Sequence, residues 1–260
     1  MTDRVKHIEL SKKDERYLDK IQRNGSINQQ GYPDHYKDKV VVKPWGYEFL
    51  IFENDYVAIW FLMIKKDHST SMHCHPLKKT SLIVLSGKAL CNTFHHRSFL
   101  GAGDAVIIDA AVFHSTKALS LDGISVIEVE SPPDKLDLVR LEDNYGRESC
   151  GYENCSQMVM DNLERYGHFY FDDGNSNGDK YSRGNRFSIG METYSSNGEF
   201  HETMAGGPES VYCVCKGSID GPNQNTLVKV GEVAKGNYLS RHAGIQIYPE
   251  TLLMNIAVQS

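Results

Sequence analysis

The sequence lacks the features that would place this protein in a membrane or on nucleic acid. In 260 residues there is no run of about 18 apolar residues, the length that a membrane-spanning helix requires. There is no basic cluster with interleaved aromatic residues, and the net charge of -6 argues against a nucleic-acid surface. Residues 1–7 have no apolar signal-peptide core. We therefore expect a cytoplasmic protein with neither nucleic acid nor membrane as partner.

Cysteine is also scarce, because six cysteines in a chain of this length do not make a disulfide scaffold. Two of them, Cys74 and Cys91, fall on predicted strands, where a free thiol packs as a small hydrophobe. The other four form two close pairs whose spacing matches no zinc knuckle or ribbon: Cys150 with Cys155, and Cys213 with Cys215. The 40% hydrophobic and 24% charged content is ordinary for a globular protein with one large or two small cores.

What the sequence does contain is a pair of histidines on a predicted strand. His73 and His75 stand two residues apart, so they point to the same face of the strand while Cys74 faces away. His114, which follows a glycine-rich turn, would complete a three-histidine site for a divalent transition metal and leave positions for water or substrate. This pattern does not distinguish zinc, iron, manganese and nickel.

The spacing of these residues resembles that of the cupin family. The first cupin motif runs His-x-His, three or four residues, Glu, six residues, Gly, and the second runs Gly, about ten residues, His. Five residues fall in register with these motifs: His73, His75, Gly87, Gly103 and His114. Thr80 occupies the position where cupins usually carry a glutamate ligand. The resemblance therefore implies a three-histidine site, or one that takes a fourth ligand from elsewhere.

Two flanking segments resemble the phosphomannose isomerase type II cupins. One is Lys43–Glu48, with the sequence KPWGYE, and the other is 127–147, so that the likeness covers about residues 43 to 147. Type II isomerases place a glutamine where Ser71 stands and a glutamate where Thr80 stands. The resemblance thus implies a carbohydrate-acting cupin of the kind used in polysaccharide biosynthesis, with a sugar phosphate or nucleotide sugar as substrate, more than phosphomannose isomerase itself.

The pattern of apolar residues predicts an all-β protein with two jelly-roll barrels and a short helical segment at the amino terminus. We expect a polar, partly helical extension at 1–38 and a metal-binding barrel at 39–140. A connector at 141–165, with a helix around 157–166, would lead to a second, degenerate barrel at 166–260.

The second barrel is predicted from offsets that recur along the chain. Gly217 follows an apolar strand as Gly87 does, and Gly231 stands eleven residues before His242, the spacing that separates Gly103 from His114. The chain is therefore expected to be a bicupin.

The second copy has lost the His-x-His pair. The same count places Thr203 and Ala205 at these positions, and the ligand types nearby are His201, Glu209 and His242. A metal there would require His201 and Glu209 to shift register. We favour a barrel without metal, with a structural or dimerising role, and expect a homodimer through barrel edges.

Isomerisation also requires a proton carrier beside the metal. Glu128 and Glu130 alternate along one strand, so both face the barrel interior or both face out; inside, they would include a missing ligand or the base. Lys79 and His96 are further catalytic candidates. Four basic residues are candidates for binding a substrate phosphate, although they also suit solvated turns or ion pairs: Lys78, Arg97, Arg140 and Arg147.

Two other classes of function remain open at this point. A three-histidine site without a carboxylate is also how some cupin dioxygenases hold ferrous iron. Loss of the family's glutamate at Thr80 and glutamine at Ser71 would equally suit a sugar-binding cupin without catalysis.

Overall fold

A computed structural model describes residues 5–23, 35–147, 152, 157–172, 178, 180–184, 186–207, 209–242 and 244–258. Cys150 and Cys155 lie outside these ranges. Within them, the chain forms no helix with the length and apolarity needed to cross a bilayer.

The first half of the chain is built mainly of short strands, as predicted. Its strands are β1 Lys6–Ile8, β2 Val40–Lys43, β3 Gly46–Glu53, β4 Ala58–Ile64, β5 Met72–Cys74, β6 Lys79–Ser86, β7 Ala89–Thr93, β8 Arg97–Leu100, β9 Ala105–Ile108, β10 His114–Ala118, β11 Ile124–Ser131, β12 Val139–Glu142 and β13 Met158–Val159. Helix α1 spans Lys12–Arg23, and a 3-10 helix spans Leu163–Tyr166.

The described residues of the second half form further short strands and two helices. They are β14 Lys180–Arg183, β15 Phe187–Tyr194, α2 Asn197–Gly206, β16 Val211–Lys216, β17 Ile219–Asp220, β18 Thr226–Val228, β19 Val233–Lys235, α3 Gly236–Leu239, β20 Gln246–Ile247 and β21 Thr251–Val258. The predicted all-β class is confirmed.

Two sheets in the first half enclose an apolar core. The larger has the order β1-β9-β6-β11-β4-β3-β2-β13, and the smaller has the order β12-β5-β10-β7-β8. Neighbouring strands are antiparallel, except that β1 runs parallel to β9. Side chains such as Trp60, Leu82 and Val126 fill the interior between the two sheets.

The same strand order recurs in the second half. There, β19-β16-β21-β15-β14 corresponds to β9-β6-β11-β4-β3, and β18-β17-β20 corresponds to β8-β7-β10. The glycine turns correspond as well, since the Gly103 amide donates to Val84 O at 2.8 Å and the Gly231 amide donates to Val214 O at 2.9 Å. This recurrence supports the predicted internal repeat.

The outer faces of the two larger sheets pack against each other and form a second apolar core. On β4, Ile59 and Phe61 face this interface, while Trp60 and Leu62 face the barrel interior. Ile189 and Met254 lie on the opposite side of the interface. Because both faces of β4 are buried, its sequence is almost continuously apolar rather than alternating.

The amino-terminal segment forms the expected helix and also a strand that was not predicted. Leu18 and Ile21 of α1 pack against Cys74 and Phe113 on the outside of the smaller sheet. The Asp14 carboxylate accepts a hydrogen bond from the Phe113 amide at 2.9 Å, which fastens the helix beside His114. Ahead of the helix, β1 extends the larger sheet, so this segment is more than a polar extension.

The helix predicted around 157–166 is wrong. Met158 and Val159 instead pair with β2 at the sheet edge, and after them only Leu163–Tyr166 of the predicted range is helical, as a 3-10 turn. Asn162 and Gly167 flank that turn with left-handed φ angles of 56° and 66°, which prevent it from extending into an α-helix. The proposed boundaries of the connector remain predictions.

Thr203 and Ala205, which the spacing placed at the positions of His73 and His75, lie in α2 rather than on a strand. Phe200 and Met204 of that helix fill the interior of the second barrel with apolar contacts. His201 is exposed on the same helix.

The other two ligand types of the second half do not converge with His201. Glu209 is exposed, and Nδ1 of His242 lies 3.0 Å from the Tyr238 carbonyl oxygen. No cluster of metal-ligating side chains is found among the second-half residues that the structure describes.

Two equivalent glycines provide a test of the packing between the repeats. Gly103 and Gly231 have φ angles of +81° and +78°, but a Cβ at Gly231 would lie 2.3 Å from Ser131 Cβ, whereas at Gly103 the nearest atom is 4.0 Å away. Both alanine variants carry backbone strain, but only Gly231→Ala adds this clash. Gly231→Ala should therefore lose about 1–3 kcal/mol more unfolding free energy than Gly103→Ala. Urea denaturation measures both losses.

Ser131→Gly in the Gly231→Ala background serves as the control for this clash. Removing the Ser131 Cβ should recover most of the difference, and strictly additive losses would contradict the proposed contact.

Candidate metal centre and its cavity

Three histidines from the smaller sheet converge inside the first barrel. His73 and His75 lie on and just after β5, and His114 begins β10, where it pairs directly with His73. The ring centroids are 4.6–5.7 Å apart, and all three side chains are buried. Cys74 faces the opposite side, toward α1, as the alternation predicted.

A backbone carbonyl oxygen fixes the orientation of each imidazole. The Nδ1-to-oxygen distances are 2.9 Å from His73 to Ser71, 2.6 Å from His75 to Asp137 and 2.9 Å from His114 to Val112. A carbonyl can only accept, so Nδ1 carries the hydrogen and Nε2 carries the lone pair. Nε2 of His75 and of His114 is buried and has no hydrogen-bond partner among the described residues.

Glu128 supplies a carboxylate to this group. Its oxygen and one nitrogen from each histidine all lie within 4.8 Å of one another. Glu128 is on β11, next to the strand that carries Thr80, and Thr80 pairs with Glu130, two residues further along β11. The carboxylate missing at Thr80 is therefore replaced from the adjacent strand, an option that the sequence had left open.

The electrostatics of these four residues suit a cation. Burial is the main cause that lowers the pKa of His73, His75 and His114, which keeps the imidazoles neutral and able to bind a metal. Burial and then the charge of Glu130 raise the pKa of Glu128 to about 7, against the lowering effect of Lys135. A divalent ion would offset the cost of the buried carboxylate, so the residues fit a metal.

A chain of alternating charges runs along the cavity wall beside the histidines. The Lys78 ammonium lies 2.9 Å from Glu130, Lys135 lies 3.6 Å from Glu130 and 3.3 Å from Glu48, and Lys43 lies 3.3 Å from Glu48. These side chains are buried, except that Lys135 is 12% exposed. Each buried charge is therefore stabilised by the opposite charges beside it, because water does not solvate it.

Aromatic rings and a hydroxyl complete this chain of charges. The Lys135 ammonium lies 3.5 Å from the centroid of Trp60, and Tyr152 donates a hydrogen bond to Glu48. Burial alone would raise the pKa of Glu48, but Lys135, Lys43 and the Tyr152 hydrogen bond together lower it to about 2. The Lys135 pKa is raised, because Glu130 and Glu48 outweigh the effect of its burial.

The histidines and the charges open onto one cavity of about 620 Å³, including its mouth. Among the described residues, its lining contains five basic side chains, Lys43, Lys78, Lys135, Arg140 and Arg147, and three acidic ones, Glu48, Glu128 and Glu130. Trp45 and Tyr152 add aromatic surface. The excess of positive charge favours an anionic ligand, and a bound metal would increase that excess.

Five of the predicted catalytic and substrate-binding residues line this cavity. They are Glu128, Glu130, Lys78, Arg140 and Arg147. Arg140 pairs with His73 across β12 and β5, and Arg147 is held by Asp143 at 2.8 Å. The strand alternation that placed Glu128 and Glu130 on one face is correct, and that face is the interior.

The other three predicted residues lie elsewhere, and we no longer assign them to this site. Lys79 points away from the interior and pairs with Glu232 of the second repeat at 2.6 Å, because it alternates with the inward-facing Thr80. His96 is exposed at the turn between β7 and β8, and Arg97 is exposed at the start of β8. For His96 and Arg97 the physical reason is that a basic side chain at a strand end is stable in contact with water.

Sequence reasoning missed several residues of the cavity. Lys43 and Glu48 were noted as part of a family-like segment but were not assigned to the site. Glu48 alternates along β3 with Leu50 of the interior core and pairs with the inward-facing Leu62, so alternation was the signal that could have placed it inside. Lys135 lies outside the strands, where no periodicity predicts its direction. The Asp137 carboxylate accepts from the Leu77 and Lys78 amides at 2.9 Å each, a long-range contact without a local signal.

The two facing antiparallel sheets and the inward histidines on β5 and β10 define a double-stranded β-helix. The chain has the cupin fold. No protein-family model and no curated protein matches the sequence.

Several solved structures resemble the chain at low identity. KdgF from Halomonas sp. is 18% identical and covers 41% of this chain and 96% of its own, with a TM-score of 0.36. An RmlC-like cupin from Shewanella frigidimarina is 15% identical and covers 52% and 97%, with a TM-score of 0.31. A protein described as a sugar phosphate isomerase from Acidithiobacillus ferrooxidans is 21% identical and covers 30% and 52%, with a TM-score of 0.29. These likenesses carry no argument about activity.

The metal site predicts a clear result for metal content. Changing His73 and His114 together to alanine should remove bound divalent metal, because two of the four converging ligands are lost. The matched control is His242→Ala, which changes the histidine at the same sequence spacing in the second repeat and should leave the metal content unchanged. Elemental analysis measures the metal, and circular dichroism verifies the fold. Full metal content in the double variant would refute the site.

The lowered pKa of Glu48 predicts that the free energy of unfolding depends on pH. Its folded-state pKa of about 2 lies below the ordinary value of 4.5, so its stabilisation is complete above about pH 4.5 and is lost as the pH falls toward 2. Glu48→Gln should therefore lower the free energy of unfolding at neutral pH by on the order of 3 kcal/mol. The difference from wild type should shrink between about pH 5 and pH 3.

Urea titrations at several pH values measure this difference. The control is Glu142→Gln, which changes an exposed carboxylate of β12 and should have a small effect at every pH. A Glu48→Gln difference that stays constant with pH would contradict the assigned cause.

Proposed function

We propose that this protein is a metal-dependent cupin that acts on an anionic carbohydrate, a sugar phosphate or a nucleotide sugar, by proton transfer of the isomerase or epimerase type. The observation that carries the proposal is the cavity that combines a candidate metal centre, a buried carboxylate and an excess of basic side chains. The sugar-isomerase-like segments around it point in the same direction.

The basic residues support an anionic substrate. Arg140 and Arg147 approach the cavity from the segment after β11, while Lys43 and Lys135 lie on the wall that Glu48 neutralises only in part. An arginine presents a planar fork of donors that matches a phosphate or a carboxylate. These side chains would hold the charged end of the substrate and place its sugar beside the histidines.

Glu130 is the proposed proton carrier. Its Oε1 lies 2.9 Å from the Lys78 ammonium, while its Oε2 is buried and has no hydrogen-bond partner among the described residues. Oε2 is thus the atom that would take a proton from a substrate carbon and return it to the neighbouring carbon. Lys78 holds the carboxylate in place, because its own ammonium is fixed by the Asp134 carbonyl oxygen at 2.6 Å.

The metal would be held by His73, His75, His114 and Glu128, and when bound it would polarise a carbonyl or hydroxyl oxygen of the sugar. Trp45 and Tyr152 offer flat surfaces for the sugar ring, and closing the substrate among them would exclude water from the reacting carbons.

Deuterium exchange tests the proposed reaction. Protein loaded with zinc or manganese is incubated without oxygen in deuterated water with a panel of sugar phosphates and nucleotide sugars. Proton transfer should introduce deuterium into at least one sugar, and Glu130→Gln should slow this exchange by roughly 100-fold or more. The matched control His96→Ala, which changes an exposed residue outside the cavity, should retain the wild-type rate.

The oxygenase alternative gives the opposite result. It would require iron or another redox-active metal, would consume oxygen together with the substrate and would introduce no deuterium into any sugar. That outcome would overturn the isomerase proposal in favour of oxygen chemistry at the same site.

A further inference from the structure

The second repeat contains its own cavity, which the metal site does not use. It measures about 890 Å³ with its mouth and lies on the interior side of β15 and β21. The residues that define its chemistry are Lys180, Ser188, Gly190, Glu192, Ser210 and Asn255.

This cavity lies beside the position that corresponds to Glu128 of the first repeat. The two equivalent valines at the glycine turns fix the register between repeats, and the residues two positions before them are Leu82 and Tyr212. Leu82 pairs with Glu128, and Tyr212 pairs with Asn255. Asn255 therefore stands where the first repeat has its candidate metal-binding carboxylate.

Two further replacements change the character of the interior. Trp60 pairs with Glu128 in the first repeat, whereas Gly190 pairs with Asn255 in the second, so that an indole is replaced by a hydrogen atom. Two residues after Asn255, Ala257 stands where the first repeat has Glu130. The second repeat has thus lost the buried carboxylates and the largest side chain at this position, and it has gained open space.

The described part of this lining is largely polar. Its charged residues are Lys180 and Glu192, of opposite sign. The Asn255 Oδ1 is buried and has no hydrogen-bond partner within the described part of the chain. Oε2 of Glu192 accepts a hydrogen bond from the Tyr194 hydroxyl at 2.6 Å, and a carboxylate has the capacity to accept several more.

Acceptors of this kind are satisfied by hydroxyl donors rather than by anions. Burying the Asn255 oxygen without a partner costs free energy that a ligand hydroxyl would recover. A phosphate or carboxylate would meet the Glu192 carboxylate, whereas a polyol offers donors to Glu192 and Asn255 and acceptors to Ser188 and Ser210. The second cavity therefore suits an uncharged ligand, whereas the cationic first cavity suits an anionic one.

We propose that the second cavity is a binding site for an uncharged polyhydroxylated ligand, a neutral sugar or a glycan residue. The ligand lies against Gly190, where the first repeat has its tryptophan, and its hydroxyls donate to Glu192 and Asn255. Binding there requires no metal and is independent of the reaction at the first cavity.

Saturation-transfer NMR on the full chain tests this site with glucose, mannose, galactose and N-acetylglucosamine as neutral probes and glucose 6-phosphate as the anionic comparator. At least one neutral probe should bind with a Kd below about 10 mM, and binding should persist in His73→Ala/His114→Ala protein treated with a chelator. Gly190→Trp, which restores the tryptophan of the first repeat, should abolish it.

Glu192→Gln is the second variant, since it does not add the bulk of Gly190→Trp, and the thermal unfolding of both variants is measured. The loss of a charged acceptor should weaken binding about 10-fold. The proposal is overturned if no neutral probe binds, if binding disappears with the metal ligands, or if it is unchanged in folded Glu192→Gln protein. Failure of the isomerase test would leave this result unaffected.

Discussion

The alternation of side chains along β11 is the constraint on which the rest of the structure depends. Ile127 and Val129 face the second repeat and belong to the apolar core between the barrels. Glu128 and Glu130 face the opposite way, into the cavity. The same strand therefore joins the two repeats and supplies the carboxylates, and a shift of one residue in its register would bury the acids between the barrels and turn apolar side chains toward the histidines.

Because Glu128 and Glu130 are buried, neighbouring side chains must compensate their charges. Glu130 is held by Lys78 and Lys135, and Lys135 in turn is held by Glu48 and by the ring of Trp60. Removing Glu130 would leave the buried Lys78 ammonium without its carboxylate, which costs more than the pair contributes. A metal among the histidines would extend the same compensation to Glu128. The site is therefore one electrostatic unit rather than a set of independent ligands.

The two repeats show how one topology can serve different chemistry. Their larger sheets share a strand order, and their glycine turns make the same hydrogen bonds. In the first repeat, β5 brings His73 to the interior; in the second, the corresponding place is taken by α2, whose Phe200 and Met204 fill the interior. The fold is set by the sheet and the turns, while the chemistry is set by which side chains reach the interior.

The sequence by itself determined the all-β class, the glycine turns, the three histidines and the shared face of Glu128 and Glu130. These features follow from local periodicity and spacing, which a single strand and its turns decide. Only the tertiary structure decided that Glu128 brings a carboxylate to the histidines where Thr80 lacks one, since this requires the pairing of β6 with β11. It also showed that Lys79 joins the two repeats, while Lys135, which no pattern predicts, closes the chain of charges. Such contacts depend on chain segments far apart in sequence, and local periodicity carries no information about which segments meet.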